Sequence, residues 1–174
     1  SADGAWITFA VEDQGDVPVY RVRATGGTLP ERIITGERQV TGLSCAPDGS
    51  QCAFMATDPV SPPEVFLCHA DGTGEKQLTD LNRAWKAEVA LARPERWRYE
   101  RAGCTLDCWV MQPYGCEPGQ RYPALLNIHG GPHTQYGHNF FDEFQVYAGA
   151  GYAVIYTNPR GSQGYGEAFT RAVH

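Results

Sequence analysis

Tyr122-Pro-Ala-Leu-Leu-Asn-Ile-His-Gly-Gly-Pro132 is the stretch whose reading decides the fold. Ala124 to Ile128 is a short apolar run, bounded by Pro123 on one side and by Gly130-Gly131-Pro132 on the other. Apart from Asn127 it lacks polar alternation, which predicts a strand covered on both faces of a parallel sheet. Two consecutive glycines then let the backbone turn sharply and come close to a ligand, where a side chain would obstruct it. A rigid strand end carrying exposed backbone N–H groups is what acyl transfer needs to hold an oxyanion.

Working outward, Phe140, Phe144 and Tyr147 recur at helical spacing and read as core, in a segment that stops at Gly149 and Gly151. Tyr152 to Thr157 is a second buried strand. Strand, helix and strand form a βαβ unit and hence a parallel sheet. Asn158-Pro-Arg-Gly-Ser-Gln-Gly-Tyr-Gly166 is a long glycine-rich loop at the carboxyl end of that strand, the edge at which open α/β sheets bind ligands. On the other side, Arg96–Tyr99 and Thr105–Met111 read as a hairpin joined by Ala102-Gly103, and Pro113 to Gly119 as a turn-rich connector.

The first half of the chain repeats itself. Ser1-Ala-Asp-Gly-Ala-Trp-Ile-Thr-Phe9 matches Ala46-Pro-Asp-Gly-Ser-Gln-Cys-Ala-Phe54 with a shift of 45. Val17 to Arg23 matches Glu64 to His69 in alternation, and Glu31-Arg-Ile-Ile-Thr-Gly36 matches Glu75-Lys-Gln-Leu-Thr-Asp80. Strand, Asp-Gly hairpin and strand at this period is the pattern of a four-stranded propeller blade. Fewer than two blades are present, and Ser1 falls at the turn of one, so the chain is expected to be cut at its N-terminus. Asp80 to Pro94 is the expected boundary region. The expected fold is therefore β-propeller blades over residues 1–92, followed over residues 93–174 by the N-terminal part of an α/β-hydrolase domain.

Composition narrows the partners. The net charge of −6 counts against nucleic acid and against anionic membranes, both of which attract cationic surfaces. No apolar run approaches the roughly 18–20 residues that span a bilayer, and Ser1 does not open on a basic, apolar leader. A cytoplasmic location is expected. Of the six cysteines, Cys45 and Cys52 flank a turn and could face each other across a hairpin, although a disulfide would be unusual in the cytoplasm. Cys104 and Cys108 share a face of one strand without a second pair, so they read as small hydrophobes rather than zinc ligands. The spacings of His129, His133 and His138 do not make a metal site either. His133 and His138 are expected in the loop near the site mouth. No cofactor is expected.

His129-Gly-Gly-Pro132 after an apolar strand, followed by Asn158-Pro-Arg-Gly-Ser162 and Gly164-Tyr-Gly166, resembles the prolyl oligopeptidase family of serine peptidases, in its acylaminoacyl-peptidase and dipeptidyl-peptidase-like branch. The family joins a propeller to an α/β-hydrolase domain in the order read here. The resemblance implies acyl transfer by a serine nucleophile, with histidine as base and aspartate orienting it. It also implies an oxyanion donor in the His-Gly-Gly-Pro loop, carried over to the backbone N–H of Gly131. Such a donor contributes roughly 3–4 kcal/mol to the transition state. His129, with Gly130 and Pro132, would shape the turn. Arg160, between Asn158 and Gly161, would brace the second loop through backbone carbonyls or meet substrate. Oligopeptides or N-acylated peptides are the implied substrates, and a homo-oligomer of the parent protein is compatible with the resemblance.

The decisive departure is the nucleophile, which needs Gly-x-Ser-x-Gly on a strand-to-helix elbow. None of Ser1, Ser44, Ser50, Ser61 and Ser162 sits in that pattern. Ser44 comes nearest but lies in a blade strand before a hairpin turn. His174 is not the catalytic base, because no nucleophile precedes it. The chain is thus expected to be an inactive piece of a peptidase, stopping before its triad, and insoluble or molten when isolated. Two other readings compete. A carboxylesterase would usually carry His-Gly-Gly-Gly where Pro132 stands, and a non-catalytic binding module would have to fold with unpaired sheet edges.

Overall fold

The computed structural model describes residue 1 and residues 3–173; His174 lies outside them. β1 (Trp6–Ala10), β2 (Val19–Arg23) and β3 (Glu31–Ile34) form an antiparallel three-stranded meander. β4 (Gln39–Cys45), β5 (Gln51–Asp58), β6 (Ser61–His69) and β7 (Lys76–Gln77) form a four-stranded one, the shape of a single blade.

The sequence repeat is realised atom by atom. Phe9 faces Tyr20 across β1–β2 and stacks on it at 6.0 Å between ring centroids; 45 positions on, Phe54 faces and stacks on Phe66 at 5.5 Å. Asp3 and Asp48 each accept the backbone N–H two residues ahead, from Ala5 and Ser50, both at 3.0 Å. An aspartate that closes its own turn in this way makes the Asp-Gly hairpin a local decision. The two sheets share a core of Val19, Ile34, Val40, Phe54 and Cys68. Cys45 and Cys52, opposite one another in the β4–β5 register, form a disulfide.

The expected boundary region contains a short helix, α1 (Arg83–Glu88), that the pattern of residues does not announce. It is fixed from β6 by the buried Glu64, which accepts the backbone and side-chain N–H groups of Asn82 at 3.1 and 2.9 Å and the Thr79 hydroxyl. Burial alone would raise the Glu64 carboxyl, but the hydrogen bonds from Thr79 and Asn82 outweigh it and hold the group down at about 2.

A third sheet, ordered β10-β11-β9-β8, carries the second half of the chain. β8 (Glu95–Arg101) and β9 (Cys104–Met111) form the expected hairpin, turned by Ala102 and Gly103 at φ of 51° and 74°, the conformation a tight two-residue hairpin loop needs. β10 (Ala124–Ile128) and β11 (Ala153–Thr157) pair in parallel, with α2 (Asp142–Gly149) between them in sequence. A four-residue helix, α3 (Glu167–Thr170), follows.

Within these residues β10 is the last strand of the sheet, with Leu126 and Ile128 60% and 66% exposed. β11 lies between β10 and β9, and its Val154 and Tyr156 are fully buried with Trp109, Met111, Phe144 and Ala148. Each such side chain contributes about 1.5–3 kcal/mol by leaving water. On the flank of α2, the buried Gln145 donates to Pro59 O at 2.8 Å and Ala92 O at 2.9 Å and accepts from Ala92 N–H at 2.8 Å, tying the helix to the blade side. Among the described residues no helix is long and apolar enough to cross a membrane.

Candidate active site

The parallel register sets Ile128 beside Thr157, so the two glycine-rich loops leave the sheet at the same edge. The structure brings the sequence-predicted residues of both loops together. His129 shares a 2.8 Å hydrogen bond with Ser162, whose hydroxyl also donates to Pro159 O at 2.7 Å. The other ring nitrogen, Nδ1, lies 3.0 Å from Gly130 O, so the ring is held from both sides. His133 Nδ1–H donates to Gly161 O at 3.1 Å. A Cβ on Gly161 would lie 3.3 Å from Pro132 Cβ and 2.6 Å from Val173 Cγ1, and Gly161 has a φ of 104°, so a side chain is excluded by both contact and conformation.

Asn158 is the anchor between the loops. It is fully buried; its Oδ1 accepts Tyr136 N–H at 2.7 Å, and its Nδ2 donates to Tyr136 O and Tyr165 Oη at 2.8 and 2.9 Å. The Tyr136 ring then supports His129 edge-on at 5.3 Å and packs on Phe144 and Tyr156. Beneath, the buried Asp107 accepts from Arg96 Nε and Arg98 Nε, both at 3.0 Å, while its carbonyl accepts Asn158 N–H at 3.1 Å. Burial would raise the Asp107 carboxyl, but Arg96, Tyr165 and Arg98 hold it below the usual range. Burial, with the Asp107 charge beside it, pushes the Tyr165 phenol up. Asp107 is a fixed anion committed to two guanidinium groups, and it braces the loop.

Arg160 lies exposed and makes no hydrogen bond among the described residues, where Asn158, Ser162 and Thr170 serve the loop from inside. One expectation about a residue's place is overturned. His138 is not at the site mouth. It is buried against Trp109 and bonded to Asp16 at 2.7 Å. The sequence gives no sign of the roles of Tyr136, Gln135 or Asp16, whose partners lie 22 to 122 residues away. Ser162, quoted in the loop motif, carried no hint of its bond to His129.

Gly131 is what these supports present. It is exposed at a φ of 126°, a Cβ there would lie 3.0 Å from His133 N, and its N–H donates to no acceptor among the described residues. A free, fixed backbone N–H beside a sheet edge can polarise a carbonyl or hold an oxyanion. No nucleophile stands next to it. Ser162 is fully buried and committed, and Ser44 lies in β4. A separate cleft of about 1050 Å³ opens between the blade turns, lined by Trp6, Arg21, Asp48 and Asp71, away from these loops. No metal-binding group of three or more His, Cys, Asp or Glu residues occurs among the described residues.

Residues 138–174 match the model of the prolyl oligopeptidase family. The chain is 40% identical over 162 residues to "Uncharacterized peptidase YuxL" of Bacillus subtilis, covering 92% of this chain and 24% of that protein. It is 36% identical over 199 residues to a probable dipeptidyl-peptidase 5 of Emericella nidulans, covering 98% and 25% respectively. Among solved structures, it superposes on Pyrococcus horikoshii acylaminoacyl peptidase with a TM-score of 0.83 at 28% identity, over 95% of this chain and 25% of that one. The fold alone is shared with Porphyromonas gingivalis dipeptidyl peptidase 4, at a TM-score of 0.79, 18% identity, and 98% and 25% coverage. The chain spans about a quarter of the length of the curated relatives it matches.

Proposed function

We infer, from a chain that belongs to the prolyl oligopeptidase family, that these residues supply the oxyanion loop of a serine-type peptidase acting by acyl-enzyme chemistry. The observation that carries this reading is the Gly131 N–H, which has no acceptor among the described residues yet is held from both flanks by His129–Ser162 and Asn158–Tyr136. In the proposal, residues 1–92 are propeller blades and residues 93–174 the first part of the hydrolase domain. The serine, aspartate and histidine lie outside this chain, which is inactive alone.

As the substrate carbonyl is attacked, charge grows on its oxygen. Gly131 N–H and the N–H after the nucleophile stabilise it together. His129 takes no proton from the nucleophile; it holds the turn through Ser162. The proposed substrates are short or N-acylated peptides; similar proteins are named dipeptidyl-peptidase and acylaminoacyl peptidase. A cytoplasmic location is part of the proposal, and the Cys45–Cys52 disulfide runs against it, since reducing compartments rarely keep such bonds.

The test is labelling of the native protein with a serine-reactive fluorophosphonate, followed by mapping of the modified peptide. A single modified serine outside residues 1–174 is expected. No labelling, or labelling at Ser44 or Ser162, contradicts the proposal.

A further inference from the structure

The connection between β1 and β2 is a two-residue hairpin turn. Asp13 and Asp16 exchange backbone hydrogen bonds at 2.9 and 3.1 Å, and Gln14 and Gly15 at the tip have φ of 53° and 91°. Its tip does not project into solvent. Gly15 is buried against the Trp109 ring, where a Cβ would lie 2.5 Å from a ring carbon. A Cβ on Gly137 would lie 1.8 Å from Gly15 O, so the two backbones touch with no room for a side chain on either.

The polar groups of this tip are directed at the segments that carry the two glycine-rich loops. Gly15 N–H donates to Gln135 Oε1 and Gln135 Nε2 donates to Asp16 O, both at 3.0 Å. His138 N–H donates to Gly15 O at 2.9 Å, and Gln14 N–H donates to Gly164 O at 3.1 Å. Trp109 Nε1–H, which can only donate, meets His138 Nε2 at 3.3 Å. His138 therefore carries its proton on Nδ1 and donates it to Asp16 Oδ1 at 2.7 Å.

The same segment is closed toward the oxyanion donor. Gln163 N–H donates to Thr134 O at 3.0 Å, and Thr134 N–H donates to Pro132 O at 2.9 Å. The blade hairpin thus holds Gln135 and His138 directly and packs on Gly137, while the Gln163–Thr134 and Thr134–Pro132 bonds continue from there to the residue next to Gly131. Gly131 itself has no internal hydrogen bond to fix it among the described residues, so its orientation depends on the rigidity of its flanks.

We propose that the Gln14–Asp16 turn is a positioning element for Gly131: Asp16, acting through His138 and Gln135, holds the 131–138 segment so that the placement of the first blade sheet sets the direction of the Gly131 N–H. Asp16 is a positioning residue and touches no substrate. The proposal rests on the reading of Gly131 as oxyanion donor, and makes that donor responsive to contact between the blades and the hydrolase sheet.

Amide hydrogen exchange of the native protein tests it without requiring turnover, so its outcome is separate from that of the fluorophosphonate experiment. Asp16→Ala removes the acceptor of the His138 proton, whereas Asp16→Asn keeps one in the same place. Exchange across residues 130–138 is expected to rise about tenfold or more in Asp16→Ala. It should stay within about twofold of the parent in Asp16→Asn, with residues 51–69 unchanged in both. Three outcomes overturn the proposal: unchanged exchange over 130–138 in Asp16→Ala, an equal rise in Asp16→Asn, or an equal rise across 51–69.

Discussion

The blade turns and the site loops are both glycine-rich, yet they are held by opposite means. At Asp48-Gly49, the aspartate accepts from Ser50 N–H at 3.0 Å and Ser50 Oγ at 2.7 Å; at Asp71-Gly72, it accepts from Thr73 N–H at 2.9 Å and Thr73 Oγ1 at 2.6 Å. All the stabilising groups lie within three residues. The His129–Pro132 and Asn158–Gly166 loops add to their local bonds, such as Ser162 to Pro159 O, supports from 33 residues away in His129–Ser162 and 22 in Asn158–Tyr136. The segment between them is held from 120 residues away in Gln135–Gly15. A local turn can form wherever its four residues occur. A distant one holds only when the whole architecture is in place, which suits the proposed role of the loop in presenting a backbone N–H in one direction.

Breaking the distant supports should therefore cost more than breaking the local ones. Asn158→Ala leaves the Tyr136 backbone groups without their buried partners and is expected to destabilise the protein by about 4 kcal/mol, read from denaturant unfolding. A loss below about 1 kcal/mol would mean that the loop repacks without its anchor.

Glu64 lies between the two kinds, with partners 15 and 18 residues away. Its carboxyl sits at about 2, against an ordinary value of 4.5. Because the folded value is the lower one, its contribution is complete above pH 4.5 and is lost as pH falls from about 4.5 to about 2. Glu64→Gln should flatten the loss of stability across that window; an acid limb identical to that of the parent contradicts the assignment. At the local extreme, Asp48→Ala should cost only about 0.5–1 kcal/mol and leave exchange over residues 130–138 unchanged. A change in that distant loop would erase the contrast.

The same contrast explains what the sequence could tell. The Asp-Gly repeat, the β8–β9 hairpin and the limits of β10 follow from neighbours in the chain, and all are found. The burial of His138 does not follow, because its partner Asp16 is 122 residues away. The buried Asn158 and Ser162 hold the second loop from inside, while Arg160 lies exposed. The helix at Arg83–Glu88 is fixed by Glu64 in β6 rather than by an N-cap side chain of its own.

The direction of one backbone N–H, that of Gly131, decides between oxyanion donor and plain turn. A crystal structure of the native protein with a phosphonate bound at its nucleophile places an oxygen where the oxyanion forms. Gly131 N is predicted to lie about 2.7–3.1 Å from that oxygen, with its N–H pointing at it. A phosphonyl oxygen held entirely by other donors, with Gly131 N turned away beyond hydrogen-bonding distance, would contradict the account.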